Sequence, residues 1–212
     1  MSVNTAPAAS STIGLKDMVI APLTADSETG VTYGTLQAVS GAIEATVSAG
    51  EKDPEVMYAD DDEYDVVYQD PEIKFTTKMA DIPLLIRKMI FGNEIDSNGV
   101  LVKNADDKPP YFAVGFKSEK ANHSYRYVWL YKVRAKPMSE HYKTKARKEI
   151  TRQPGTVEWT AIKRIYDGQY QVTADEGENG FTAEMGATFL SSVYAADFTE
   201  SGNGESGGNG DT

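Results

Sequence analysis

Hydrophobic and polar residues alternate along most of the chain, which is the pattern of β-strands with one buried face. In VSGAIEATV, residues 39–47, one side of the predicted strand carries Val39, Gly41, Ile43, Ala45 and Val47. The alternation is strongest in SYRYVWLYKVRA, residues 124–135. One side of this strand carries Tyr125, Tyr127, Trp129, Tyr131 and Val133. The other side carries Arg126, Val128, Leu130, Lys132 and Arg134.

The same alternation predicts further strands at 16–21, 64–69, 72–79, 99–103 and 111–119. Residues 156–165 and 170–175 flank the turn signal Asp167-Gly168, so they predict a β-hairpin. The chain should therefore contain about eight to ten strands.

One helix interrupts the strands, at IPLLIRKMIFG, residues 82–92. Asp81 is placed to cap its N-terminus, Pro83 is tolerated in the first turn, and Gly92 ends it. The stripe expected to pack on a sheet is Ile82, Leu85, Ile86, Met89 and Ile90. A weaker candidate helix, at 182–192, is interrupted by Gly186 and could equally be irregular. Together these elements predict a mainly β fold, a β-sandwich or partly closed barrel with one packing α-helix.

Composition narrows the class of protein. The 212 residues are 40% hydrophobic and 25% charged, as in a soluble protein with one substantial core. We expect a flexible N-terminal arm at 1–12, a single domain at 13–198, and a flexible Gly/Ser/acidic tail at 199–212. No membrane span or secretory signal is recognised, which predicts synthesis in a cytoplasm. The lack of cysteine excludes disulfides and cysteine nucleophiles.

The net charge of −11 is divided unevenly along the chain. Residues 1–50 carry −3, residues 51–72 carry −9, residues 73–166 carry +10 and residues 167–212 carry −9. Copies of such a chain can attract one another through opposite regions. Nucleic acid is a poor partner for the chain as a whole, because phosphate binding needs a net cationic face.

Two runs carry the densest charge. YADDDEYD, residues 58–65, lacks the ligand alternation, turn glycine and terminal glutamate of a calcium loop, so no metal site is predicted. HYKTKARKEITRQPG, residues 141–155, is basic, and a phosphate-binding arm is the weaker interpretation of it. Either run alone is typical of a solvated loop. Together they could pair within one chain or between copies.

The sequence offers no catalytic constellation, so no catalytic residue, cofactor or enzyme activity is predicted. His123 and His141 have no triad or ligand partners nearby and are expected at the surface. No glycine-rich phosphate loop occurs, and nothing selects a carboxylate pair for glycoside hydrolysis. The row of Tyr125, Tyr127, Trp129 and Tyr131 could form a carbohydrate platform, although a core or subunit face is the commoner role.

Several stretches resemble a known family. They include IGLKDMVIAPLT, VTYGTLQAVSGAIEATVS, VMYADDDEYD, ADIPLLIRKMIFG with DSNGVLV, and KPPYFAVGFKSEKANHSYRYVWLYK. The most specific of these stretches extends from Gly115 to Lys132. In order and spacing, over about residues 12–180, they resemble the major tail proteins of long-tailed bacteriophages, the tail tube subunits of phages and prophages of Gram-positive bacteria.

The resemblance implies a β-sandwich flanked by a helix, with a long assembly loop or hairpin that reaches the neighbouring ring. Six copies would form a ring, and rings would stack into the hollow tube of the virion tail. The subunit would be made in the host cytoplasm. The tube would have a largely acidic lumen, through which DNA is ejected. The implied partners are further copies, the tape measure protein, and the tail terminator and distal tail proteins. DNA would pass without being bound, and no membrane is involved.

On this basis we predict that the acidic run of one copy faces the basic segment of another. The predicted inter-subunit residues are Asp60, Asp61, Asp62, Glu63, Asp65, Lys143, Lys145, Arg147, Lys148 and Arg152. Candidates for the lumen wall are Glu44, Glu158 and Asp175. The alternatives are a carbohydrate- or cell-binding β-sandwich module and an inner-tube protein of a contractile injection or secretion system.

Overall fold

The computed structural model describes residues 10–50, 55–59, 62–67, 72–142, 144, 154–178 and 180–196. The strands in these residues are β1 Thr12–Ser27, β2 Gly30–Tyr33, β3 Gln37–Ala38, β4 Ala42–Ala49, β5 Glu55–Ala59, β6 Asp62–Val67, β7 Ile73–Met79, β8 Glu94–Ile95, β9 Leu101–Val102, β10 Tyr111–Lys120, β11 Tyr125–Ala135, β12 Gly155–Ala161 and β13 Gln171–Asp175. The helices are α1 Leu84–Phe91 and α2 Ala183–Thr188. The predicted mainly β fold is confirmed.

Nine strands form one sheet, in the order β2-β1-β10-β11-β12-β7-β4, with β3 also on β1 and β13 also on β11. All the pairings in this sheet are antiparallel. Because β2 and β4 end the path without pairing with each other, the sheet is open and sandwich-like. The pairs β5-β6 and β8-β9 form two small separate sheets. Among the described helices, neither is long and apolar enough to span a membrane.

Two β-bulges overturn part of the predicted alternation. Between Phe112 and Val114, β10 advances two residues while β11 advances three, from Val133 back to Leu130. Val133 therefore joins the core on the side of Leu130, and not the side of Trp129 as predicted. A second register shift between Ala42 and Glu44 leaves Ile43 56% exposed instead of buried.

The hairpin predicted from β12 and β13 is also wrong. Both strands pair with the same edge of β11, β12 with residues 133–135 and β13 with residues 126–130. Residues 162–170 leave this edge and return to it, since Ile162 N donates to the Lys132 carbonyl and Tyr131 N donates to the Tyr170 carbonyl. The 11-residue β11 is long enough to pair with both strands in succession. Because β12 and β13 are both antiparallel to β11, they run in the same direction and form no hairpin.

The predicted helix is present but begins later than expected. Its N-cap is Pro83, without a side-chain hydrogen bond, so Asp81 does not cap it. A residue before proline is forced towards extended conformations, which keeps Ile82 out of the helix. Gly92 ends the helix at φ 71°, as predicted. Of the predicted stripe, Leu85 is 65% exposed, whereas Ile82, Ile86 and Ile90 are buried and Met89 packs against the core.

Two apolar clusters lie on opposite faces of the sheet. The first includes Phe75, Phe112 and Trp159 and is covered by α1. The second includes Tyr127, Trp129 and Tyr131 and is covered by residues 181–194, with Phe189 at its centre. Of the second candidate helix, residues Ala183–Thr188 are helical as α2, a helix beyond the one predicted, and Thr182 caps it by accepting from Met185 N. The chain therefore covers its own aromatic strand.

Candidate functional site

The acidic run lies on a β-hairpin made by β5 and β6. These two strands pair with each other and with no other described strand. Of the predicted contact residues, Asp62, Glu63 and Asp65 lie on β6, whereas Asp60 and Asp61 fall outside the described residues. Met57 and Tyr64 are 60% and 75% exposed on this hairpin. The hairpin that carries the acidic run thus exposes two large apolar side chains.

The basic segment follows β11 and precedes β12. Lys143, Lys145, Arg147, Lys148 and Arg152 all lie outside the described residues. The described chain nevertheless fixes where the segment starts and finishes, because β11 ends at Ala135 and β12 begins at Gly155.

The acidic hairpin and the basic segment leave the sheet at opposite ends. At one end Ala49 and Ala161 both pair with Ile73, where the chain enters and leaves the hairpin. At the other end Ala42 and Gly155 both pair with Met79, next to the basic segment. Seven residues of β7, at about 3.3 Å each, separate these ends by about 20 Å.

The lumen candidates Glu44 and Glu158 lie on one exposed face of the sheet. Glu44 on β4 pairs with Lys78 on β7 at 2.6 Å, and this hydrogen bond lowers the pKa of Glu44 below its usual value. Glu158 on β12 is exposed and makes no ion pair with any residue that the structure describes. The same face carries the exposed Lys74, so it contains charges of both signs.

The third candidate, Asp175, is enclosed by bases. Its carboxylate lies 2.6 Å from Arg126 Nε and 2.6 Å from Lys120 Nζ, with the side chain 14% exposed. The hydrogen bond from Arg126, opposed by burial and aided by Lys120, lowers the pKa of Asp175 to about 2. Asp175 therefore holds β13 against β10 and β11, and presents less free charge to solvent than Glu158 does.

We expect the Asp175→Asn variant to be less stable than the wild type at pH 7 by about 2 kcal/mol, and this difference to disappear between about pH 4 and pH 2. The folded pKa lies below the unfolded one, so the ionised carboxylate stabilises the fold above pH 4, and that stabilisation is lost as the pH falls towards 2. Urea unfolding of both proteins at pH 7, 4 and 3 measures this difference in the free energy of unfolding. The control is Glu44→Gln, which removes an exposed pair. A difference independent of pH would contradict the expectation.

A buried charge network that the sequence did not indicate holds the loop of residues 162–170. The Arg164 side chain, 3% exposed, donates to Asp167 and to Tyr33 Oη, and its Cζ lies 3.6 Å from the centroid of the Tyr131 ring. The turn at Asp167-Gly168 is evident from the sequence, but no local signal marks which arginine in a basic stretch is buried.

A second carboxylate fixes the backbone of the same loop. Asp26 accepts hydrogen bonds from Ile165 N at 3.0 Å and from Tyr166 N at 3.1 Å, and it pairs with Lys132 Nζ at 2.6 Å. The side chains of Asp26 and Lys132 are 5% and 10% exposed. The loop is therefore held by the buried pair of Asp26 and Lys132 and by the partly buried pair of Arg164 and Asp167.

The outer side of this loop is apolar. Four of its side chains are between 40% and 58% exposed: Ile162, Ile165, Tyr166 and Tyr170. At the opposite end of the sheet, a groove of about 510 Å³ lies where β7 ends and β12 begins. Its walls include Asp81, Ile82, Met138, Gly155, Thr156 and Glu158.

The remaining candidates do not form a chemical site. Tyr127, Trp129 and Tyr131 are at most 4% exposed, so this row does not provide a carbohydrate platform. His123 and His141 are exposed, as predicted. Within the described ranges, no group of three or more His, Cys, Asp and Glu residues is arranged to hold a metal ion.

Comparison with protein-family models identifies a family for this chain. A family model described as phage tail tube protein matches residues 6–194, which is most of the chain. No curated protein in the comparison matches.

Proposed function

Because this chain belongs to the phage tail tube protein family, we propose that it is the tube subunit of a long-tailed phage of Gram-positive bacteria. The family is one of structural tail proteins of the virion and not of enzymes. In the proposal, six copies form a ring, rings stack into the tail tube, and DNA passes through the lumen to the host. The proposed partners are the tape measure protein and the tail terminator and distal tail proteins.

The observation that supports this proposal is that the acidic run connects to one end of the sheet and the basic segment connects to the other end. Rings that stack without limit need a heterologous contact, in which two unlike surfaces of each subunit repeat. In the proposal, the hairpin and the basic segment supply these two surfaces. Since about 20 Å of strand separates their starting points, their placement favours pairing between copies over pairing within one chain.

The proposed lumen wall uses the exposed face that carries Glu44 and Glu158. DNA binds cationic surfaces through counterion release, and a carboxylate offers no such contact. Glu158 fits this role best, because Lys78 balances Glu44 and two bases enclose Asp175. In the proposal, the carboxylates of Glu44 and Glu158 offset Lys78 and Lys74 on this face, so DNA passes without meeting a cationic surface.

We expect reversal of Lys143, Lys145, Arg147 and Lys148 to glutamate to raise the protein concentration needed for tube growth at least tenfold at low salt. Exposed ion pairs contribute about 0–1 kcal/mol each, and at about 0.5 kcal/mol each the loss of four pairs exceeds the roughly 1.4 kcal/mol that a tenfold change requires. Negative-stain electron microscopy and light scattering across a concentration series measure the threshold.

The matched control reverses Lys74, Lys88, Lys108 and Lys136, which are all exposed and change the net charge by the same amount. If both variants grow tubes at the wild-type concentration, the pairing between copies is wrong. If the wild type itself gives neither rings nor tubes under any salt condition, the proposed function fails.

A further inference from the structure

Residues 137–140, which lead from β11 into the basic segment, are held by side chains and not by the backbone. The last backbone hydrogen bond before them runs from Lys136 N to the Glu158 carbonyl, at 2.8 Å. Beyond it, no backbone group of residues 137–142 bonds to another residue that the structure describes. Met138 packs against the first apolar cluster, and Glu140 forms ion pairs. Side-chain contacts therefore set the course of this stretch.

The Glu140 carboxylate bridges two bases that belong to separate elements. Its Oε1 lies 2.5 Å from Arg87 Nη1 on α1, and its Oε2 lies 3.0 Å from Lys103 Nζ in the loop after β9. Arg87 is itself fixed, because its Nε donates to the Ile82 carbonyl at 2.9 Å. The hydrogen bond from Lys103 lowers the pKa of Glu140 below its usual value. Glu140 thus ties residues 137–140 to the helix and to that loop.

The same stretch borders two cavities. Arg87, Pro137, Met138 and Glu140 line the groove of about 510 Å³, and all four also line a second cavity of about 240 Å³. A stretch beside open space, without backbone hydrogen bonds, is constrained less by its surroundings than a strand of the sheet is. The bridge made by Glu140 therefore supplies a large part of the constraint.

We propose that Glu140 is a positioning residue for the contact between copies, because it fixes the place at which the basic segment leaves the body of the subunit. The inference rests on the proposed function, in which the basic segment of one copy contacts the acidic hairpin of another. Lys143, the first base of the predicted contact, follows Glu140 by three residues. A segment that is fixed at its root before contact loses less conformational entropy on binding.

Glu140→Ala should raise the protein concentration needed for tube growth about fivefold or more at low salt. Fixing the backbone of a single residue costs the equivalent of about a fivefold to thirtyfold change in an equilibrium constant. Charge alone predicts the opposite result, because loss of an acid beside the basic segment would strengthen its attraction to an acidic hairpin and lower the threshold. Light scattering across a concentration series measures the threshold.

The matched control is Glu119→Ala, which removes a carboxylate on β10 that is 20% exposed and lies 2.6 Å from Lys16 Nζ. Glu140 is 24% exposed, so the two variants lose the same charge from similar surroundings. A threshold for Glu140→Ala that is unchanged, lowered or raised only as much as that of the control overturns the inference and leaves the proposed function standing. Absence of tubes from the wild type overturns both.

A second test follows the stretch in the unassembled subunit. The chain contains no cysteine, so a nitroxide on His141→Cys labels a single exposed site next to Glu140. Glu140→Ala should narrow the lines of the electron paramagnetic resonance spectrum, because the labelled backbone then moves faster. The same label on Glu28→Cys, in the turn between β1 and β2, should not respond to Glu140→Ala. Identical spectra at residue 141 with and without the Glu140 carboxylate overturn the inference.

Discussion

Trp129→Ala should lower the free energy of unfolding by about 3–5 kcal/mol, the largest effect expected from one substitution in this protein. The indole is fully buried in the second apolar cluster, and its Nε1 donates to the Phe189 carbonyl at 2.9 Å. Its removal leaves a cavity in the cluster and an unpaired carbonyl, and it frees the segment of residues 181–194 that covers the aromatic strand. Urea unfolding of the isolated chain measures the loss.

The control is Tyr142→Ala, which removes an aromatic side chain that is 85% exposed. A neighbouring glycine gives a sharper test. A Cβ on Gly115 would lie 2.8 Å from three carbons of the Trp129 ring, so Gly115→Ala should destabilise the wild type and be tolerated in the Trp129→Ala background. Additive losses in the double variant would show that the two residues do not meet as described.

The second large effect is expected from Lys132→Met, with a loss of about 3–5 kcal/mol. This substitution leaves the Asp26 carboxylate, 5% exposed, without its cation. Burial alone raises the pKa of Asp26, but the Lys132 ammonium and the N–H groups of Ile165 and Tyr166 outweigh burial and lower the pKa below its usual value. Without Lys132 an ionised carboxylate remains in the interior, which destabilises the fold.

Lys78→Met is the matched control for this prediction, because it breaks a pair of the same 2.6 Å length whose partners are 45% and 52% exposed. Exposed pairs contribute little, so its midpoint in urea should stay near that of the wild type. Equal losses in both variants would mean that the Asp26–Lys132 pair is hydrated and unimportant.

These predictions separate stability from assembly. The Trp129 and Lys132 variants act on the isolated chain, whereas the variant of the basic segment acts only when copies meet. Unfolding curves measured on monomer and growth thresholds measured on folded protein distinguish the two groups.

The sequence alone determined the mainly β class, the position of the helix near 82–92 and the segregation of charge. Each of these is a local property. Alternation marks a strand without knowledge of its neighbours, Gly92 accepts the left-handed conformation that ends a helix, and charge can be counted along the chain. The acidic run at residues 58–65 is likewise evident from the sequence, because its charge is local.

Only the tertiary structure decided which face each residue occupies. A bulge at residues 131–132 moves Val133 to the opposite face, and a bulge at Ile43 exposes it, because a bulge depends on the partner strand as much as on the bulged one. Pairing with β11 likewise turned the predicted hairpin into two successive strands with an ordered loop between them.

The placement of the candidate contacts was also beyond the sequence. Contacts with residues distant in sequence bury two charged side chains, since Arg164 donates to Tyr33 and Asp26 accepts from Lys132. The neighbouring Ile165 and Tyr166 stay exposed. That the hairpin and the basic segment start at opposite ends of the sheet follows from the register of β4, β7 and β12. Strand composition fixes neither, because register and long-range contacts are set by how the strands pair in three dimensions.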